Sequence, residues 1–169
     1  DALRMASKDD TEIVILRCEG RTFIAGADIS EFGNPPQEPT LATVFEALES
    51  CPKPILTAIH GTALGGGLEL ALCCDYRLAI ETAKVGLPEV NLGLLPGGGG
   101  TQRLPRLTGH RIAIDMITSG RPLSASDAQV AGILDAVSND DLPQAAEALA
   151  AELLAREAGK RLTRDIPLG

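Results

Sequence analysis

The chain has 169 residues, 44% of them hydrophobic and 22% charged, which suits a single soluble domain with a buried core. Its formal charge of −8 and its 2% aromatic content argue against a nucleic acid as partner, since such binding needs a basic surface and stacking platforms. No run of about 18 apolar residues offers a membrane span. The opening DALRMASKDD lacks the basic-then-apolar pattern of a secretion signal, so the expected location is cytoplasmic.

EIVILRC (12–18) is a short β-rich apolar run and predicts a buried strand. EGRTFIAGADISEFG (19–33) reads as a loop entering a turn, and NPPQEPT (34–40), with three prolines, is a breaker. LATVFEALESC (41–51) has helical period, with Leu41, Val44, Phe45 and Leu48 on one face. KPILTAIHG (53–61) predicts a second strand, LGGGLELALCCD (64–75) glycines running into a helix, and YRLAIET (76–82) a third strand. AKVGLPEVNLGLLPGGGG (83–100) reads as a short extended piece and a long glycine-rich loop. Two helices follow, closed by Gly109 and Gly120. Ser124 with Asp127 resembles a capping box, ILDAV (133–137) a strand, and 142–159 an amphipathic helix. Strands alternating with helices predict an α/β fold with a largely parallel sheet.

Glu69 stands out because its helix is apolar nearly all round. A carboxylate there is costly unless paired or used. Gly65, Gly66 and Gly67 leave backbone N–H groups approachable at a helix N-terminus, a place for an anion or for a carbonyl becoming one. The alternative is a tight turn with close strand–helix packing. The pattern is neither a phosphate loop nor a dinucleotide fingerprint. Glu89, set after a proline among Leu87, Val90 and Leu92, is a second candidate. Two carboxylates in one apolar pocket do not ionise together cheaply, so one becomes an acid beside a base. Spacing alone does not bring them together.

Other residues read as structural. Cys18, Cys51, Cys73 and Cys74 form no C-x-x-C pair and suit reduced, buried small hydrophobes. His60 and His110 are too few for a zinc site. Arg103, Arg106, His110 and Arg111 read as a solvated helix face, with the phosphates of a ligand or a partner subunit as the other reading. Asp75 is expected to cap or pair, and Asp28 to shape its turn.

FIAGADISEF (23–32), ALGGGLELALCCD (63–75) and GLPEVNLGLLPGGGGTQRLPRLTG (86–109), in that order, resemble the crotonase superfamily, and within it the enoyl-CoA hydratases. The wording is most similar to the hydratase/isomerase module of multifunctional fatty-acid β-oxidation enzymes. The resemblance implies a crotonase-like (ClpP/crotonase) ββα superhelix. It implies hydration of 2-trans-enoyl-CoA to 3-hydroxyacyl-CoA, with no cofactor beyond the CoA of the substrate and no metal. Ala27 and Gly66 would supply the oxyanion N–H groups. Glu69 would activate water and Glu89 would protonate the α-carbon. Ala25, Asp28, Ile29, Ser30 and Gly65 would line the substrate site. A Δ3–Δ2-enoyl-CoA isomerase and a non-catalytic CoA-thioester binder are the alternative readings. The family pattern also implies a homotrimer or hexamer, or membership of a larger chain, with elements flanking those seen here. The chain therefore reads as one crotonase-type domain over 1–169, a fragment, with 160–169 a linker-like tail.

Overall fold

The computed structural model describes residues 2–26, 35 and 38–168. A short helix α1 (Ala2–Ala6) precedes β1 (Val14–Arg17). Helix α2 (Leu41–Ser50) starts where the Thr40 hydroxyl accepts the Thr43 N–H at 3.2 Å. Then come β2 (Ile55–Ile59), β3 (Thr62–Leu64), α3 (Gly66–Cys73), β4 (Tyr76–Ile80) and β5 (Lys84–Gly86). A 3₁₀ turn (Glu89–Leu92) leads to α4 (Gly100–Ser119). The chain continues through β6 (Leu123–Ser124), α5 (Ala125–Val130), β7 (Ala136–Ser138) and α6 (Leu142–Ala155). No helix among the described residues is long and apolar enough to cross a membrane.

Two sheets result. One has the order β1-β2-β4-β7 and is parallel throughout. The other has the order β3-β5-β6, with β3 and β5 parallel and β6 antiparallel to β5. The chain winds between them: β2 and β4 enter the first sheet, and β3 and β5 follow at once in the second. Each such pair is followed by a helix, α3 or α4. The parallel sheet is therefore as predicted, while β3 and β6, of three and two residues, are too short for periodicity to reveal. All of β2 is buried, as strands covered on both faces must be.

The core collects on both faces of the first sheet. Leu68, Leu72, Val85, Leu87, Leu104 and Ile133 pack on the α3 side. Leu56, Leu78, Ala146, Ala150 and Leu153 pack under α6. Arg77 is fully buried, with a structural reason: its Nη1 donates to the Cys74 and Ala71 carbonyls at 2.8 and 3.4 Å. Its Nε donates to the Ile133 carbonyl at 2.6 Å. It thus ties the C-terminal end of α3, where the Cys74 carbonyl needs a donor, to the segment before β7.

Gly109, at φ +74°, breaks α4 where the first of two helices was expected to close, and Gly120, at φ +65°, ends it. Ser124 caps α5 by accepting the Asp127 N–H at 3.1 Å. The Asp127 carboxylate takes the Ser124 hydroxyl at 2.6 Å. A reciprocal box would use the Ser124 backbone N–H, which a Glu side chain reaches and the shorter Asp does not.

The segment expected as a linker-like tail is fastened to the domain through residue 165. Asp75, wholly buried, accepts the Arg161 N–H at 2.6 Å, Lys160 Nζ at 3.1 Å and the Ile55 N–H at 2.8 Å. The Arg161 guanidinium lies over the Tyr76 ring, 4.6 Å from its centroid. The pairing role expected for Asp75 is the one it has. All four cysteines are free, with Cys51, Cys73 and Cys74 buried. Burial pushes the Cys73 thiol up to about 12. His60 also serves structure, its Nε2 lying 3.0 Å from the Gly20 carbonyl.

Candidate active site

Helix α3 begins on Gly65, whose φ of 54° and ψ of −126° only glycine adopts readily. The Gly65 N–H is committed to the strand network, donating to the Gly86 carbonyl at 2.9 Å. Gly65 has no side chain to cap the helix, and Gly66 presents a first-turn N–H at its positive end. Gly67 answers a different need: a Cβ there would run into the Ile24 carbonyl, beside the bridge from Ile24 to Ala63. The glycine run thus serves both readings, close packing at Gly67 and an accessible donor at Gly66.

One turn on, Glu69 is 3% exposed. Its Oε1 accepts two backbone N–H groups, from Gly98 at 2.7 Å and Gly100 at 2.8 Å. A side chain at 98 would not fit: its Cβ would lie 2.7 Å from Glu69 Oε2 and against the Phe45 ring. The glycine-rich stretch before α4 is therefore the socket of Glu69, a link not visible from sequence spacing.

Glu89 opens the 3₁₀ turn behind Pro88. Its Oε1 approaches Gly65, where an added Cβ would sit 3.3 Å away. Its Oε2 is buried and has no hydrogen-bond partner among the described residues. Burial, and secondarily the nearby Glu69 charge, raises its pKa above the ordinary 4.5, against the pull of its own backbone N–H.

Glu69 and Glu89 line one cavity of about 640 Å³, together with Ala25, Gly65 and Gly66. Phe45, Leu41, Leu92, Leu94 and Leu95 form its apolar wall and rim. Leu41, expected on one face of α2 with Val44, Phe45 and Leu48, is 48% exposed and belongs to this wall. Ala27, Asp28, Ile29 and Ser30 lie outside the described residues. Among the described residues, no three His, Cys, Asp or Glu side chains gather to hold a metal ion.

Two participants escape a reading of the sequence. Arg103, expected on a solvated face, is 13% exposed and lines the cavity. It is bound to Glu49, which is 8% exposed. The rest of that basic run is peripheral: His110 and Arg111 are exposed, and Arg106 donates to the Arg164 carbonyl at 3.1 Å. The signal for Arg103 was its place one turn beyond the glycine run.

The arrangement provides an apolar cavity, a bare helix N–H, an anchored carboxylate and a second carboxyl group biased toward its protonated form. Such a set moves protons on a carbonyl compound and holds negative charge on its oxygen.

Known proteins share this architecture. Residues 1–165 match the enoyl-CoA hydratase/isomerase family. The chain is 46% identical to a peroxisomal bifunctional enzyme of Danio rerio over 90% of its own length and 21% of the relative's. It is 48% identical to a probable enoyl-CoA hydratase of Bacillus subtilis, over 82% and 57% respectively. The crystal structure of an enoyl-CoA hydratase from Bacillus anthracis superposes with a TM-score of 0.83 at 39% identity, covering 91% of this chain and 63% of that one. The chain thus spans less than two thirds of these relatives.

Proposed function

Since the chain belongs to the enoyl-CoA hydratase/isomerase family and has the crotonase fold, we propose that it hydrates 2-trans-enoyl-CoA to 3-hydroxyacyl-CoA in fatty-acid β-oxidation. Glu69 takes a proton from water as the oxygen attacks C3. Glu89 delivers a proton to C2 on the same face. The electron pair of the double bond passes through the thioester as an enolate, whose oxygen meets the N–H groups of Gly66 and Ala27. Ala25, Gly65 and residues 28–30 border the thioester and its CoA. The apolar rim of Leu92, Leu94 and Leu95 suits an acyl chain. CoA enters as part of the substrate.

The observation that carries this reading is the buried Oε2 of Glu89, without a partner among the described residues, in the same cavity as Glu69. A carboxyl oxygen without a protein partner is held for a ligand or is a stability loss. Relatives described as peroxisomal bifunctional enzymes, of which the chain covers 21% and 20%, support its membership of a larger multifunctional chain. The same unpartnered acid also suits a Δ3–Δ2 isomerisation, which needs only one proton shuttle.

The test is the loss of the conjugated ultraviolet absorbance of crotonyl-CoA, for wild type, Glu69→Gln and Glu89→Gln. Wild type should hydrate it, and each variant should fall about a hundredfold or more. A wild type that shifts 3-enoyl-CoA but does not hydrate crotonyl-CoA makes isomerisation the function. Binding without either reaction makes the chain a thioester binder.

A further inference from the structure

Gly98 and Gly100 seat Glu69 through their N–H groups, yet no side chain between 97 and 100 fixes those peptide planes. Helix α4 holds the Gly99 carbonyl through the Gln102 and Arg103 N–H groups, and from its first turn the Arg103 side chain clamps the Gly98–Gly99 peptide that links the two donors. Its Nη1 donates to the Gly98 carbonyl at 2.7 Å, on the same residue whose N–H reaches Glu69. Its Nε and Nη2 both donate to Glu49 Oε1, at 3.0 and 2.7 Å. Glu49 Oε2 takes Arg164 Nη1 at 2.7 Å. Gly99, at φ +94°, lies against the guanidinium, and a Cβ there would meet Arg103 Nη1. A guanidinium is suited to this place because its planar fork serves the carboxylate and the carbonyl together.

We infer that Arg103, oriented by Glu49, is a positioning residue that fixes the Gly98–Gly99 peptide, which links the two donor N–H groups, and through it the Glu69 carboxylate. The inference rests on the hydratase reading. Its consequence is selective. Hydration needs Glu69 and Glu89 together, whereas exchange of an α-hydrogen of a saturated acyl-CoA needs one base at the α-carbon and the oxyanion donors. Arg103 therefore governs the first reaction and leaves the second alone. Removing Arg103 leaves Glu49 paired with Arg164, so no buried charge is abandoned.

The experiment compares hydration of crotonyl-CoA with deuterium exchange into butyryl-CoA in D₂O, on the full chain. Arg103→Gln should lower kcat for hydration about a hundredfold with KM nearly unchanged, as a misplaced catalytic group does. Arg103→Lys, keeping one donor, and Glu49→Gln, keeping an acceptor, should each retain more activity than Arg103→Gln and than Glu49→Ala. Exchange should stay near the wild-type rate in all four. Unchanged hydration in Arg103→Gln, or hydration and exchange falling together in Arg103→Lys, overturns the inference while wild-type hydration keeps the hydratase reading intact. A wild type that exchanges but does not hydrate overturns that reading, and the role of Arg103 with it.

Discussion

Glu89 has a stability signature separate from its chemistry. Its folded-state pKa is raised, chiefly by burial, so the folded protein resists its ionisation. Below its ordinary value of 4.5 the group is neutral in both states and contributes nothing. As pH rises from there through the raised folded value, the unfolded state has already released the proton that the folded state keeps. Stability is lost over that window, and the loss is complete above it. Glu89→Gln should therefore melt higher than wild type at neutral pH, with the difference vanishing in acid. Melting curves at the two pH values check it, and an advantage that persists in acid would assign the effect to something other than charge. Gly98→Ala tests the socket of Glu69. Its Cβ would sit 2.7 Å from Oε2, so about 1–3 kcal/mol of stability and most of the hydration should go together. Both carboxylates were visible in the sequence because each breaks its surroundings: Glu69 interrupts an apolar helix, and Glu89 follows a proline among apolar residues. Glu49 and Arg103 were not, because each sits where a charge is ordinary and they meet only across 54 positions of chain.

Among the elements, glycine punctuation was the most legible feature. Gly109 and Gly120 mark where the two halves of α4 close, both at positive φ. Gly109 has open space around it, with nothing within 4 Å of an added Cβ. Gly109→Ala therefore costs only its backbone conformation, a positive φ with ψ of 167° that is nearly confined to glycine, about 1–3 kcal/mol. Urea unfolding should show a lower midpoint with an unchanged m value, since no surface is newly exposed. Ser124→Ala removes the acceptor for the Asp127 N–H and should cost about 1 kcal/mol. The glycine-rich stretch at 97–100 was legible as a loop but not as a socket. Glycine at 98, 99 and 100 is required by contacts with Phe45, Glu69 and Arg103, which only the folded chain assembles. Helix α1 and strands β3 and β6 are shorter than the window in which a periodic pattern can be told from chance.

At the scale of the whole molecule, the alternation of apolar strands and helices announces the parallel sheet. The pairing of β3, β5 and β6 into a second sheet depends on a winding that no local pattern records. The fastening of residues 160–165 was hidden for a related reason. GKRLTRD looks solvated until Asp75, some 85 positions earlier, is seen to be wholly buried and in need of donors. That carboxylate joins three parts of the fold: the start of β2 through the Ile55 N–H, the entry to β4 by its own position, and the tail through Arg161 and Lys160. Asp75→Ala strands two backbone N–H groups and frees Lys160 of its partner. The expected loss is about 3 kcal/mol, because unmade buried bonds cost more than made ones contribute. The loss should be uneven. Hydrogen exchange should rise first in residues 160–166, where the remaining holds are exposed or half-buried ones, among them Arg161 on Asp135 and on the residue-75 carbonyl, Arg106 on the Arg164 carbonyl and Arg164 on Glu49. It should rise last in β2 and β4, which stay buried and parallel-paired. Because Arg164 shares Glu49 with Arg103, a loosened tail should also weaken the hold on the Gly98 loop. A tail that stays protected in Asp75→Ala would mean that Arg161 and Arg164 hold it without the buried carboxylate.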